Sequence, residues 1–169
     1  QAPDIWLVNI DSSQLDQILV NLAVNSRDAI DGVGNIIIET ANITLDADYC
    51  SEHLGFSEGQ FVTLTFTDTG RGMDKETQQK MFEPFFTTKD EGKGTGLGLS
   101  TLYGIVKQNN GFINVYSELD QGTAFKIYLP RVDEVEEKPE SNPVDVQSLT
   151  GSETILVVED EKQILRLCQ

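Results

Sequence analysis

The sequence predicts an α+β fold: a two-layer α/β sandwich whose mixed, mostly antiparallel sheet carries helices on one face, with a lid over the pocket between the layers. Three observations predict it. Residues 13–30 and the stretch beginning at Leu97 repeat apolar side chains every three or four positions, the period of a helix lying on a sheet. Four other stretches, 35–45, 60–67, 112–117 and 123–129, have the alternation and length of strands. Between the second strand and the second helix runs Phe82-Glu83-Pro84-Phe85-Phe86-Thr87-Thr88-Lys89, followed by Gly92-Lys93-Gly94-Thr95-Gly96-Leu97-Gly98-Leu99-Ser100. Backbone so free of Cβ atoms can come close to an anion, so this segment reads as a phosphate-binding lid.

Taken in order, Ile5 to Ile10 reads as a short strand, and Asp11 or Ser12 then offers a side-chain oxygen to cap the first helix. Leu15, Ile18, Leu19, Leu22, Ala23, Ala29 and Ile30 form the apolar face of that helix, and Gly32 and Gly34 end it. A connector over 46–59 separates the first long strand from the next, in which Phe61, Leu64 and Phe66 are broken by threonines. Leu97, Leu99, Leu102, Tyr103 and Val106 mark the second helix, closed by Asn109-Asn110-Gly111, residues tolerant of left-handed geometry. Glu118-Leu119-Asp120-Gln121-Gly122 joins the last two strands as a hairpin-type connection, and Pro130 ends the compact part.

Residues 1–130 are therefore expected to form one domain and 131–152 an acidic, proline-containing linker. Residues 153–169 begin afresh: a β-branched apolar strand runs into Glu159-Asp160-Glu161, as a parallel α/β unit begins, with a strand end able to hold a divalent cation. So short a piece cannot build its own core and reads as a severed second domain. The net charge of −16, with 28 acidic against 12 basic residues, repels a phosphate backbone, so no nucleic-acid partner is expected. Cys50 and Cys168 stand far apart with no C-x-x-C pair, which suggests neither a disulfide framework nor a zinc site and fits a reduced, cytoplasmic setting. No apolar run approaches the roughly 20 residues of a membrane span, and the first residues lack the order of a signal peptide. The fragment is expected to make no membrane contact; any anchor of its parent would lie upstream.

Asn21 and Asn25 lie one helical turn apart and share a face with Asp28. An inward amide costs free energy unless paired, so each meets either backbone or a hydrated metal. The acidic neighbour and the glycine lid favour magnesium, which takes oxygen ligands and keeps several waters. Asp68-Thr69-Gly70-Arg71-Gly72-Met73 lies where a strand turns into a loop, with Gly70 and Gly72 letting the chain pass close beneath a ligand. Asp68 can accept a hydrogen bond from an exocyclic amine, which adenine has at this edge and guanine lacks. Lys89 and Lys93 either neutralise a triphosphate or are simply solvated. The glycine cluster is neither a Walker A loop, which needs G-x-x-x-x-G-K-[ST], nor a dinucleotide-binding turn, since it does not follow a strand. The kinase-type glycine loop lies between two strands, whereas this one feeds a helix.

These motifs, in their order, resemble those of the catalytic, ATP-binding domain of sensor histidine kinases, in the superfamily shared with gyrase, heat-shock chaperone and mismatch-repair ATPases. Residues 21–29 resemble the N box, 68–73 the first glycine box, 82–86 the F box and 94–100 the second glycine box, and the likeness runs over residues 4–130. The resemblance implies a Bergerat-type ATP-binding fold with ATP and Mg2+ as cofactors. It implies that Asn25 ligates magnesium beside Asn21 at the reacting centre, that Asp68 binds the adenine amine and that Gly72 shapes the base pocket. Gly94, Gly96 and Gly98 would close over the phosphates, and Thr123, in a Gly-Thr-x-Phe strand, matches a residue near the adenine. Asp28, Gly70, Met73, Lys89, Lys93, Thr95, Leu97 and Leu99, which fall in or beside these boxes, complete the expected nucleotide-binding set.

In the water-cleaving members of the superfamily a Glu one turn before the magnesium Asn activates water; here that position is Asn21, which is no base at neutral pH. Efficient hydrolysis is not expected. Phosphoryl transfer depends on positioning and charge stabilisation, so an in-line acceptor from another domain can replace the water. The acceptor is expected to be a histidine, but His53, in Ser51-Glu52-His53-Leu54-Gly55, lacks the acidic residue that follows the family's phosphoacceptor and reads as a surface side chain. The acceptor and its dimerising helices are expected upstream, which makes the fragment a monomer and its parent a homodimer. The final residues are similar to the first strand of a response-regulator receiver, Glu159 and Asp160 matching its acidic pair. The expected partners are thus a phosphoacceptor histidine domain and a receiver domain or cognate response regulator, and the parent resembles a hybrid histidine kinase. The alternatives are a serine kinase of the anti-sigma type, against which the receiver-like tail argues, and a degenerate nucleotide-binding domain, against which Asn25, Asp68 and the glycines argue.

Overall fold

A computed structural model describes residues 4–52, 55–90 and 94–133. The chain divides into a unit over Gln1–Val135 and another over Glu136–Gln169, and every described residue belongs to the first. His53, Lys93, Cys168, nearly all of the expected linker and the receiver-like residues 153–169 lie outside the described residues. In chain order the elements are α1 (Ser12–Ala29), β1 (Ile36–Leu45), α2 (Ala47–Glu52), β2 (Gly59–Asp68), α3 (Lys75–Lys80), α4 (Gly98–Gln108), β3 (Phe112–Glu118) and β4 (Gly122–Pro130).

Helix α1 begins where Asp11 accepts a hydrogen bond from the Ser13 N–H at 2.7 Å, and it closes where the Ile30 N–H reaches the Ser26 carbonyl. Ile18, Leu22 and Ser26, four residues apart, form its buried row. The sheet order is β1-β2-β4-β3, and every pairing between these strands is antiparallel. Register sets Leu64 opposite Ile127 and Phe66 opposite Phe125, so one sheet face is continuously apolar. Ile18 and Leu22 of α1 and Leu102, Ile105 and Val106 of α4 pack on that face as the main core. Each such side chain contributes about 1.5–3 kcal/mol by leaving water. Among the described residues no helix is long and apolar enough to cross a membrane.

The two long helices share one face, as expected, but the short α2 does not join them. The connector that holds it folds over the opposite face, where Phe56 stacks on Phe112 at 5.0 Å and meets the edge of Tyr128 at 5.1 Å, with Leu45 and Phe61 beside them. A second departure concerns residues 5–10, which form no strand. Their backbone pairing is a single antiparallel bridge between Val8 and Arg131, although Val8 and Ile10 still pack against the main core, and the Trp6 N–H is taken by the Asn42 side chain at 3.0 Å rather than by a neighbouring strand. Helix α3 was also unforeseen, because Lys-Glu-Thr-Gln-Gln-Lys has no apolar period; Asp74 starts it by accepting from the Thr77 N–H at 2.8 Å.

Candidate functional site

Helix α1, the loop after β2, the lid and the start of α4 surround a cavity of about 860 Å3, within the range of small-molecule sites. Asn21, Asn25 and Asp28 reach it from α1, on the row beside the buried one. The Asn21 Nδ2 donates to the Gly98 carbonyl at 3.1 Å and so ties α1 to the first residue of α4. The Lys89 Nζ from the lid donates to Asp28 Oδ2 at 2.7 Å and lies 3.5 Å from Asn25 Oδ1. Arg27 donates to the other Asp28 oxygen, Oδ1, at 2.8 Å. The Lys89 hydrogen bond, and after it that of Arg27, holds the Asp28 carboxyl below the usual aspartate range.

At the end of β2, Asp68 is buried and both of its oxygens are engaged. Oδ2 accepts from the Ser26 hydroxyl at 2.6 Å and Oδ1 from the Gly70 N–H at 2.9 Å. Thr123 sits opposite Asp68 in the sheet register, and its hydroxyl is 2.9 Å from that of Ser117, which also accepts from the Met73 N–H at 2.8 Å. The two glycines of this loop serve packing. At Gly72, with φ +65°, a Cβ would lie 1.9 Å from the Glu118 carbonyl oxygen, so only glycine lets the loop rest on the β3–β4 hairpin. A Cβ at Gly70 would meet Ala29 at 2.8 Å, which makes that glycine a contact with the end of α1.

The lid is held at both ends. The Phe85 N–H donates to the Gly96 carbonyl at 3.0 Å, and a Cβ on Gly96 would stand 2.3 Å from the Phe85 carbonyl carbon. Phe85 itself has φ 69°, a left-handed conformation costly for a bulky residue, which this clasp maintains. Phe82 anchors the base by packing on Tyr103, the ring centroids 5.0 Å apart.

Most residues singled out in the sequence come together here. Besides the three from α1, Asp68, Gly72, Met73 and Thr123 line the cavity on the sheet side; Lys89, Gly94, Thr95, Gly96, Gly98 and Leu99 line it on the lid side. Gly70 and Leu97 fall outside the lining, Gly70 because it faces Ala29 and Leu97 because it is an exposed N-cap residue. Arg71 and Leu119, which sequence reasoning passed over, line it too. Ser26 was also missed, although a serine in the inward row of Ile18 and Leu22 signals a buried hydrogen bond.

The residues present suit a nucleotide with a hard divalent cation. The cavity has room for one, α4 opens onto it through Gly98 and Leu99, and the Lys89 ammonium already lies against the oxygens of Asn25 and Asp28, the donor type magnesium takes. Among the described residues no three His, Cys, Asp or Glu side chains gather as a cage, and magnesium, which keeps its own waters, needs none.

Comparison with known proteins identifies the family and the fold. Residues 10–133 match the family described as histidine kinase-, DNA gyrase B- and HSP90-like ATPases. The chain is 46% identical over 95% of its length to the sensor kinase CckA of Brucella abortus, of which it spans 18%, and 35% identical over 73% of its length to the sensor histidine kinase ZraS of Escherichia coli, of which it spans 23%. It thus spans less than a quarter of these curated relatives. Among solved structures, a mycobacterial sensor histidine kinase, MprB, is similar with a TM-score of 0.58 and 25% identity, covering 75% of this chain and 76% of that one. The catalytic domain of the histidine kinase ThkA is similar with a TM-score of 0.55 and 28% identity, covering 73% of this chain and 70% of that one. By motif, fold and relatives alike, the chain belongs to the histidine kinase-, DNA gyrase B- and HSP90-like ATPases and has the antiparallel α+β architecture of a histidine kinase catalytic domain.

Proposed function

We propose that this domain binds ATP with magnesium and presents the γ-phosphoryl group to a histidine carried by a separate dimerisation domain, as one step of a two-component phosphorelay. The observation that carries the reading is that Asn25, Asp68 and Lys89, drawn from a helix, a strand end and a lid, line one cavity of nucleotide size. In this reading Asp68 accepts the adenine amine, with Thr123 and Gly72 beside the base. Asn25 holds magnesium through Oδ1, and Gly94, Gly96, Gly98 and Lys89 lie along the phosphates, with Lys93 as a second lid cation. Magnesium, when bound, neutralises phosphate charge. The protein's share is to orient the nucleotide, to exclude water by the lid and to leave the γ-phosphoryl end open to an incoming imidazole.

The amide at Asn21 supports transfer over hydrolysis. It is no base, and its nitrogen is already given to the Gly98 carbonyl. The reading extends to an acidic linker over 131–152 and to residues 153–169 as the start of a receiver domain, in a parent that dimerises through its histidine-bearing helices.

The test is calorimetric titration with ATP and magnesium of this fragment and of Asp68→Asn, followed by mixing the loaded fragment with a purified histidine-containing dimerisation domain. ATP binding lost in the variant, and acid-labile phosphate on the added domain, are expected. Unchanged binding would remove the adenine assignment, and acid-stable phosphate on a serine would point to the anti-sigma type of kinase.

A further inference from the structure

Ser26 occupies the third place in the inward row of α1, after Ile18 and Leu22, and is 2% exposed. A hydroxyl there costs free energy unless it is bonded, and its bond crosses from the helix to the sheet, 2.6 Å from Asp68 Oδ2. Asp68, 4% exposed, receives its other protein hydrogen bond from the backbone N–H of Gly70. Among the described residues no ion pair reaches Asp68. An enclosed carboxylate is thus held by two neutral donors, and Ser26 is the one that comes from a different element. The Gly70 bond, two residues along the chain, travels with the loop, whereas the Ser26 bond fixes the carboxylate relative to α1. A carboxylate offers only acceptor lone pairs, so Asp68 meets a ligand atom that carries hydrogen, and the Ser26 hydroxyl, by donating to Oδ2, fixes where the remaining lone pairs point.

We propose that Ser26 is a positioning residue that sets purine selectivity. By donating to Oδ2 it keeps the Asp68 carboxylate turned to accept from the exocyclic amine of adenine and to repel the carbonyl that guanine has at the same edge. Ser26 does not line the cavity, so it acts through Asp68 and not on the nucleotide. The inference rests on the reading of Asp68 as the adenine contact. It goes beyond that reading in assigning the orientation of the carboxylate to one hydroxyl on α1.

The experiment is titration of the fragment with magnesium-ATP and magnesium-GTP in the wild type, Ser26→Ala, Ser26→Cys and Asp68→Asn, with thermal unfolding as the check on folding. Loss of a hydrogen bond to a charged group predicts that Ser26→Ala binds ATP about tenfold more weakly while GTP binding changes little, so that the ratio of the two affinities shrinks by about tenfold. Ser26→Cys, close in shape but a weak donor, should fall between Ala and the wild type, and it serves in place of Ala if the Ala variant does not fold. A wild-type ratio in either serine variant, with Asp68→Asn still impaired, overturns the role of Ser26 and leaves the adenine contact standing. Wild-type ATP affinity in Asp68→Asn overturns the adenine contact itself, and the inference with it.

Discussion

Lys89 ties the lid to helix α1 through its 2.7 Å hydrogen bond to Asp28. In the sequence it is one of two lid lysines, equally suited to phosphate and to solvent. In the folded chain its ammonium is bound by Asp28, with side chains 23% and 27% exposed, and lies beside the Asn25 oxygen proposed to hold the metal. Removing it should leave Asp28 facing the phosphates with the more exposed Arg27 as its remaining cation: Lys89→Ala is expected to weaken magnesium-ATP binding by about 1 kcal/mol, read by calorimetry. The same pair carries a pH dependence. Because the folded Asp28 carboxyl lies below its ordinary value, its contribution to stability is present above that ordinary value and is lost as pH falls through the depressed one. Thermal melts at descending pH should therefore show a smaller acid loss in Lys89→Ala than in the wild type.

At the scale of elements, the lid depends on the closure of its base more than on its own composition. Phe85 and Gly96 clasp backbone to backbone, and Gly96 has no space for a Cβ. Gly96→Ala should force the two segments of the clasp apart, at a cost of about 1–3 kcal/mol, and lower ATP affinity while the circular dichroism of the sheet and the long helices stays as in the wild type. Helix α3 is a different case, a short polar element held by one cap. Asp74 accepts from the Thr77 backbone N–H and then from its side chain, which holds its carboxyl below the usual range. Asp74→Ala should fray α3, seen as faster amide exchange at Thr77 and Gln78, and acidification of the wild type through the depressed carboxyl value should produce the same fraying. Periodicity made α1, α4 and the four strands legible, because each presents a repeating apolar face to one core. It could not reveal α2 and α3, which are six residues each and lack such a face, and it misread residues 5–10, whose apolar pattern finds only one bridge at the end of the sheet.

For the molecule as a whole, the site is supported by the core beneath it. Leu22 and Leu102 are fully buried at the contact of α1 and α4 with the sheet, and Leu22 lies between Asn21 and Asn25. Leu22→Ala should cost about 2–5 kcal/mol in denaturant unfolding and should also weaken ATP binding, because the row that carries the amides shifts with the helix. What the sequence alone determined is the set of elements with a strong period, the order of the four motifs and the residue types able to meet a base, a metal and phosphates, since spacing and side-chain chemistry are local properties. Tertiary structure decided the rest: that Lys89 pairs with Asp28, that Ser26 holds Asp68, that Asn21 ties α1 to α4, and that Gly70 and Gly72 answer to neighbouring backbone and side chains. These contacts join residues far apart in the chain, and only packing of the helices and the lid on a sheet of fixed register brings them within hydrogen-bonding distance.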